Sequence, residues 1–68
     1  MNRIKRLRTE HGMSMQKLAD RVGVAKSSVH RWESGTTPIG QISSDHIEKL
    51  AKALGTSVAY IRGEEVEA

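Results

Sequence analysis

The sequence contains no cysteine. That excludes a disulfide framework, a thiolate metal site and a thiol nucleophile, and it is compatible with a reducing cytosol. No uninterrupted apolar run approaches a signal-peptide core or a membrane span, so the chain reads as a soluble, unexported, cytoplasmic protein. Its three histidines, His11, His30 and His46, are too scattered for a metal-binding spacing, and no nucleophile stands with a base at a motif spacing. Phosphate-loop and dinucleotide glycine patterns are also missing; the glycines read as helix stops and turns. No enzymatic activity, metal, cofactor or small-molecule ligand is therefore expected. The basic first segment has the composition to lie on an anionic membrane, but its apolar stripe is thin and needed for a core, so no membrane partner is expected.

What is present is short and unevenly charged. Sixty-eight residues allow one domain and one modest core, provided its few apolar faces all meet. The net charge of +3 conceals a division. Residues 1–31 set eight Lys and Arg against Glu10 and Asp20, a balance of +6, whereas residues 32–68 set Lys49, Lys52 and Arg62 against six acids, a balance of −3. Such a dipole can present its basic side to a polyanion.

The stretch from Met15 to Ser34 organises the chain. Met15, Leu18, Ala19 and Val22 have the i, i+3, i+4, i+7 spacing of one helix face. Gly23 then stops that helix, because glycine accepts positive φ without steric cost. After Val24 a second face appears at Ala25, Ser28, Val29 and Trp32. Two short helices with almost no linker must cross steeply, which is a helix-turn-helix unit whose second helix fits a DNA major groove.

The combination resembles the Cro/phage-repressor type of helix-turn-helix domain, the lambda-repressor-like or Xre family. Ala19 is followed by Gly23 at four, Val29 at ten and Trp32 at thirteen residues, with Glu33 and Gly35 closing the second helix. RIKRLRTEHGMS before this unit and HIEKLAKALGTSVAYI after it match as well, so the likeness covers nearly the whole chain. It implies a compact all-α domain of five helices over residues 1–63, with 64–68 an acidic tail or the start of a linker. It also implies a sequence-specific transcriptional regulator of a bacterial cell, most simply a phage or prophage repressor binding operator DNA as a weak homodimer. Alternatives on the same scaffold are an antitoxin with autoregulatory DNA binding, a restriction–modification controller acting as activator, and a protein-binding domain; the basic outer arc of the third helix argues against the last.

The first helix is expected from Asn2 or Arg3 to His11, with Ile4, Leu7, Arg8 and His11 inward and Arg3, Lys5 and Arg6 outward. Arg8 on a core-facing stripe is costly unless paired. The resemblance implies a structural salt bridge from Arg8 to Glu33; the alternative is Arg8 reaching past the core to solvent. Ser14 is the expected N-cap of the second helix. The family usually follows this cap with a phosphate-contacting glutamine, but here Met15 holds that place and Gln16 comes one later. Met15 is therefore assigned to packing, and Gln16 and Lys17 are the candidate phosphate contacts.

The third helix is expected from Ala25 to Ser34, without a side-chain cap. Its outer arc carries Lys26, Ser27, His30, Arg31 and Ser34. Lys26 and Ser27 stand at the end that reaches base edges, and Arg31 can bind guanine O6 and N7 together; His30 completes the base-contact candidates. Ser34, Thr36 and Thr37 are candidate phosphate contacts, a plain surface loop being the alternative. In the turn-rich stretch 34–44, Ile39 and Ile42 are expected to fold back onto the domain, or else to support self-association. A fourth helix is expected from Ser44 or Asp45 to before Gly55, with Ile47, Leu50, Ala51 and Leu54 inward. A fifth, capped by Ser57, should run from Val58 to about Arg62. Val58, Tyr60 and Ile61 are its candidate dimer contacts, the alternative being that they finish the core of a monomer.

Overall fold

The structure of the protein, a computed structural model, describes residues 3–64. Asn2 and residues 65–68 of the expected tail lie outside the described residues. Five α-helices follow one another: α1 (Arg3–Glu10), α2 (Met15–Val22), α3 (Lys26–Ser34), α4 (Ser44–Leu54) and α5 (Val58–Arg62). A single 3₁₀ turn, Ile39–Gln41, lies between α3 and α4, and among the described residues there is no strand. The fold is the all-α, five-helix arrangement that the spacing and the resemblance imply.

Serines start three of these helices. Ser14, Ser43 and Ser57 each hold extended backbone and accept a hydrogen bond from the amide three residues on, at 3.0, 3.2 and 3.0 Å. Each bond satisfies one of the donors a helix start leaves open. At the far end of α2, Gly23 takes φ of 85°. The amides of Gly23 and Val24 both donate to the Ala19 carbonyl, at 2.8 and 3.0 Å, which reverses the chain within three residues of α3.

The buried faces converge on one cluster. Ile4 comes from α1, Leu18, Ala19 and Val22 from α2, and Val29 and Trp32 from α3. Ile47, Leu50, Ala51 and Leu54 of α4 lie at the centre, and Ile61 of α5 closes the cluster. The Trp32 ring meets His46 of α4, with centroids 5.7 Å apart and planes at 46°. Full burial of side chains this size contributes about 1.5–3 kcal/mol each. Val29 and Trp32 together thus outweigh the roughly 1 kcal/mol that an absent side-chain cap costs α3.

Ala25, at the N-cap of α3, has φ −76° and ψ 152° and makes no side-chain cap bond. It is exposed, not part of the inner face as expected, because the cap residue precedes the first helical turn. Its backbone already suits a capping serine. Ala25→Ser is expected to add about 1 kcal/mol of stability, raising the thermal midpoint by about 4–8 °C in a domain this small. An unchanged or lower midpoint counts against this helix start.

Three other expectations need correction. His11 is exposed, not inward: the chain turns at His11 and Gly12, where φ is 66°, and the side chain leaves the α1 stripe. Arg3 is half-buried rather than outward, because its Nη1 donates to the Tyr60 carbonyl at 2.7 Å and its guanidinium lies 4.3 Å from the Tyr60 ring centroid. Ile61 is 3% exposed and packs in the core, so it has no surface to offer a second copy. Of the isoleucines in the turn-rich stretch, Ile42 is buried and Ile39 packs half-buried against the cluster. The 3₁₀ turn seats both, with the Gln41 amide donating to the Pro38 carbonyl at 2.9 Å.

Candidate nucleic-acid interface

An outward-facing helix can read a surface only if its inner side is fixed. On α3, Val29 and Trp32 are buried while Lys26, Ser27, His30, Arg31 and Ser34 are all exposed. A period of about 3.6 residues places those five on one arc. The arc holds two cations, two hydroxyls and an imidazole, all able to donate hydrogen bonds, and no apolar side chain. Arg31 Nη2 donates a long, 3.4 Å hydrogen bond to Ser28 Oγ, so its fork is only weakly held within the helix.

The attitude of α3 is set by an ion pair with α1. Arg8 Nε donates to Glu33 Oε2 at 2.6 Å and Nη2 donates to Glu33 Oε1 at 3.0 Å, a bidentate fork. The third donor, Nη1, reaches the Met13 carbonyl at 2.7 Å. The two side chains are 10% and 3% exposed. Hydrogen bonding to the Glu33 carboxylate raises the Arg8 pKa above its ordinary value; burial opposes this and the carboxylate's charge adds to it. One guanidinium thereby ties α1, the turn before α2, and α3 together. Among the described residues no buried polar side-chain atom lacks a hydrogen-bond partner.

The candidate phosphate contacts divide. Lys17 and Gln16 are exposed in the first turn of α2, but the Gln16 side-chain amide donates to Asp20 Oδ1 at 2.9 Å and must release it to meet a phosphate. Ser34, at the end of the α3 arc, and Thr36, just past it, are exposed with hydroxyls 3.0 Å apart. Thr37 is half-buried and its amide is occupied by the Arg31 carbonyl at 3.2 Å, which leaves only its side chain to contribute. Gly35, with φ of 84°, turns the chain at this point. Val58 and Tyr60 of α5, the remaining dimer candidates, are half-buried.

Spacing did not single out Lys5. It is exposed on α1, yet it borders the same depression as Met15, His30, Glu33 and Ser34, so α1 adjoins the outer arc. The signal was hidden because a lysine on the outer side of a first helix looks like any solvated charge until the packing of α1 against α3 is known. Met15 is half-buried and packs against the core, while also lining this depression. Among the described residues no cluster of His, Cys, Asp or Glu could hold a metal ion, and no helix is long and apolar enough to cross a membrane.

A family model described as helix-turn-helix matches residues 4–61. No curated protein and no solved structure matches the chain.

Proposed function

Because this chain belongs to the helix-turn-helix family of DNA-binding transcriptional regulators, we propose that it reads operator half-sites in double-stranded DNA and acts as a repressor of the phage or prophage Cro type. The observation that carries the reading is the polar, exposed arc of α3 mounted on the buried Val29 and Trp32. In this reading α3 enters the major groove, Lys26 and Ser27 reach base edges at its leading end, and Arg31 takes guanine O6 and N7 together. His30 completes the base-reading set. Lys17, Ser34 and Thr36 hold the flanking phosphates, with Gln16 and the Thr37 hydroxyl beside them. A second copy joins through Val58 and Tyr60 of α5, and the two α3 helices meet half-sites about one helical turn apart.

Selection of bound duplexes from a random pool tests this directly. The expected product is a two-fold symmetric sequence; a pool that emerges unenriched removes the reading. On the selected duplex, Arg31→Ala is expected to cost about 1–3 kcal/mol, with a much smaller loss on random DNA. An equal loss on both would make Arg31 a phosphate contact instead.

A further inference from the structure

We propose that the DNA interface extends beyond the helix-turn-helix onto α1, where Lys5 receives a backbone phosphate at the mouth of the depression it shares with His30 and Ser34. The inference rests on the DNA-binding reading and adds a residue to it. The depression holds about 100 Å³ and is lined by Lys5, Met15, His30, Glu33 and Ser34, contributed by three helices. His30 stands midway along α3 and Ser34 is its last residue. Lys26 and Ser27 lead α3 towards the bases, whereas Lys5 stands on a different helix at the margin of the arc, where a backbone phosphate rather than a base edge comes within its reach.

The charges suit an anion. Glu33 is the one acid lining the depression, and both its oxygens are bound by Arg8 with the side chain 3% exposed. Its charge is therefore met within the protein and does not set the sign at the mouth. Lys5 supplies a compact ammonium on a flexible stem, which suits a point contact with phosphate better than directed base recognition. Ser34 adds a hydroxyl, and the Met15 thioether forms an apolar wall. An apolar wall lowers the local dielectric and strengthens the attraction.

The experiment is a salt titration of affinity on the selected duplex and on a random one, for the wild type, Lys5→Gln, Lys5→Arg and, as a control, Lys49→Gln. Lys49 lies on α4 paired with Asp45 at 3.1 Å. Lys5→Gln is expected to make the log–log salt slope shallower by about 0.9 for each bound protomer. Its affinity should fall by the same factor on both duplexes, and its selected sequence should not change. Lys5→Arg should keep the wild-type slope, as should Lys49→Gln. A Lys5→Gln slope equal to wild type overturns the proposal, as does a loss confined to the selected duplex, which would mean base contact. Sodium phosphate alone, titrated against the Lys5 amide resonance, should give no saturable shift; a saturable one would mean a free-anion site and overturn the assignment to DNA. A wild type that binds no duplex defeats the DNA-binding reading itself, and that result is distinct from a wild type with a steep slope that Lys5→Gln leaves untouched.

Discussion

Glu33→Ala is expected to destabilise the domain by about 3–5 kcal/mol, the range for removing one partner of a buried pair. The loss arises because Arg8 keeps its charge. Its pKa is raised in the folded protein, so the stability from the bridge is fully present below the ordinary arginine value and is lost only as pH rises through the raised one. No accessible neutral pH discharges the orphaned guanidinium. For a chain this short, total stability of about 0.05–0.15 kcal/mol per residue amounts to roughly 3–10 kcal/mol. The variant should therefore be marginally folded at room temperature. Urea unfolding followed by Trp32 fluorescence, adjacent to the lesion, measures it. The double replacement Arg8→Met with Glu33→Leu should recover most of the loss, since exchanging a buried pair for apolar side chains of similar volume is often neutral or better. By contrast, breaking Arg6–Glu10 or Lys49–Asp45, whose side chains are 45–71% exposed, should cost less than about 1 kcal/mol. A loss under 1 kcal/mol for Glu33→Ala would place the buried bridge in that weaker class.

The contrast between these pairs also marks where residues could be read from spacing and where they could not. Leu18, Ala19, Val22, Val29 and Trp32 were legible because helical periodicity has one solution for a chain with two short helices and a three-residue turn. Ser14 and Ser57 were legible because cap chemistry is local, set by a hydroxyl and an amide three residues away. Arg8 was legible as an anomaly, a charge on an apolar stripe, and its partner came from family resemblance rather than from spacing. Other positions are set by contacts remote in sequence. Arg3 lies 57 residues from Tyr60 in sequence, and its carbonyl hydrogen bond exists only once α5 docks beside α1. Lys5 adjoins the outer arc only once α1 packs against α3. Ile61 read as spare apolar surface because nothing in a five-residue helix says which side faces the core. His11 and Ala25 sit where helices begin or end, and there the 3.6-residue period no longer fixes a side chain's direction. The turn at Ile39–Gln41 follows from Pro38 and from burial of Ile42, a tertiary requirement that the turn residues alone do not express.

Raising monovalent salt from 50 to 200 mM is expected to weaken binding to the selected duplex by about 10³-fold or more, the largest effect foreseen for this protein. The cations on the proposed DNA face set the size of this effect. Lys17, Lys26 and Arg31 are exposed on α2 and α3, and two copies on a symmetric site would double them. Counting each of these six cations as displacing one counterion from the duplex, whether its head group ends on a base edge or beside a phosphate, gives a log–log slope near −5, and including Lys5 from each copy brings it to about −7 and the loss to about 10⁴-fold. A lone protomer making half these contacts would lose only about 10²-fold over the same range. The slope thus reports stoichiometry as well as charge. Among the acids of the second half, Glu33 is bound by Arg8 and Asp45 by Lys49, and Glu48 is exposed on α4, outside the proposed reading arc, so these three do not offset the cations counted. A measured slope shallower than about −2 would mean that phosphates contribute little, and that the basic half of the sequence serves only to keep the domain soluble.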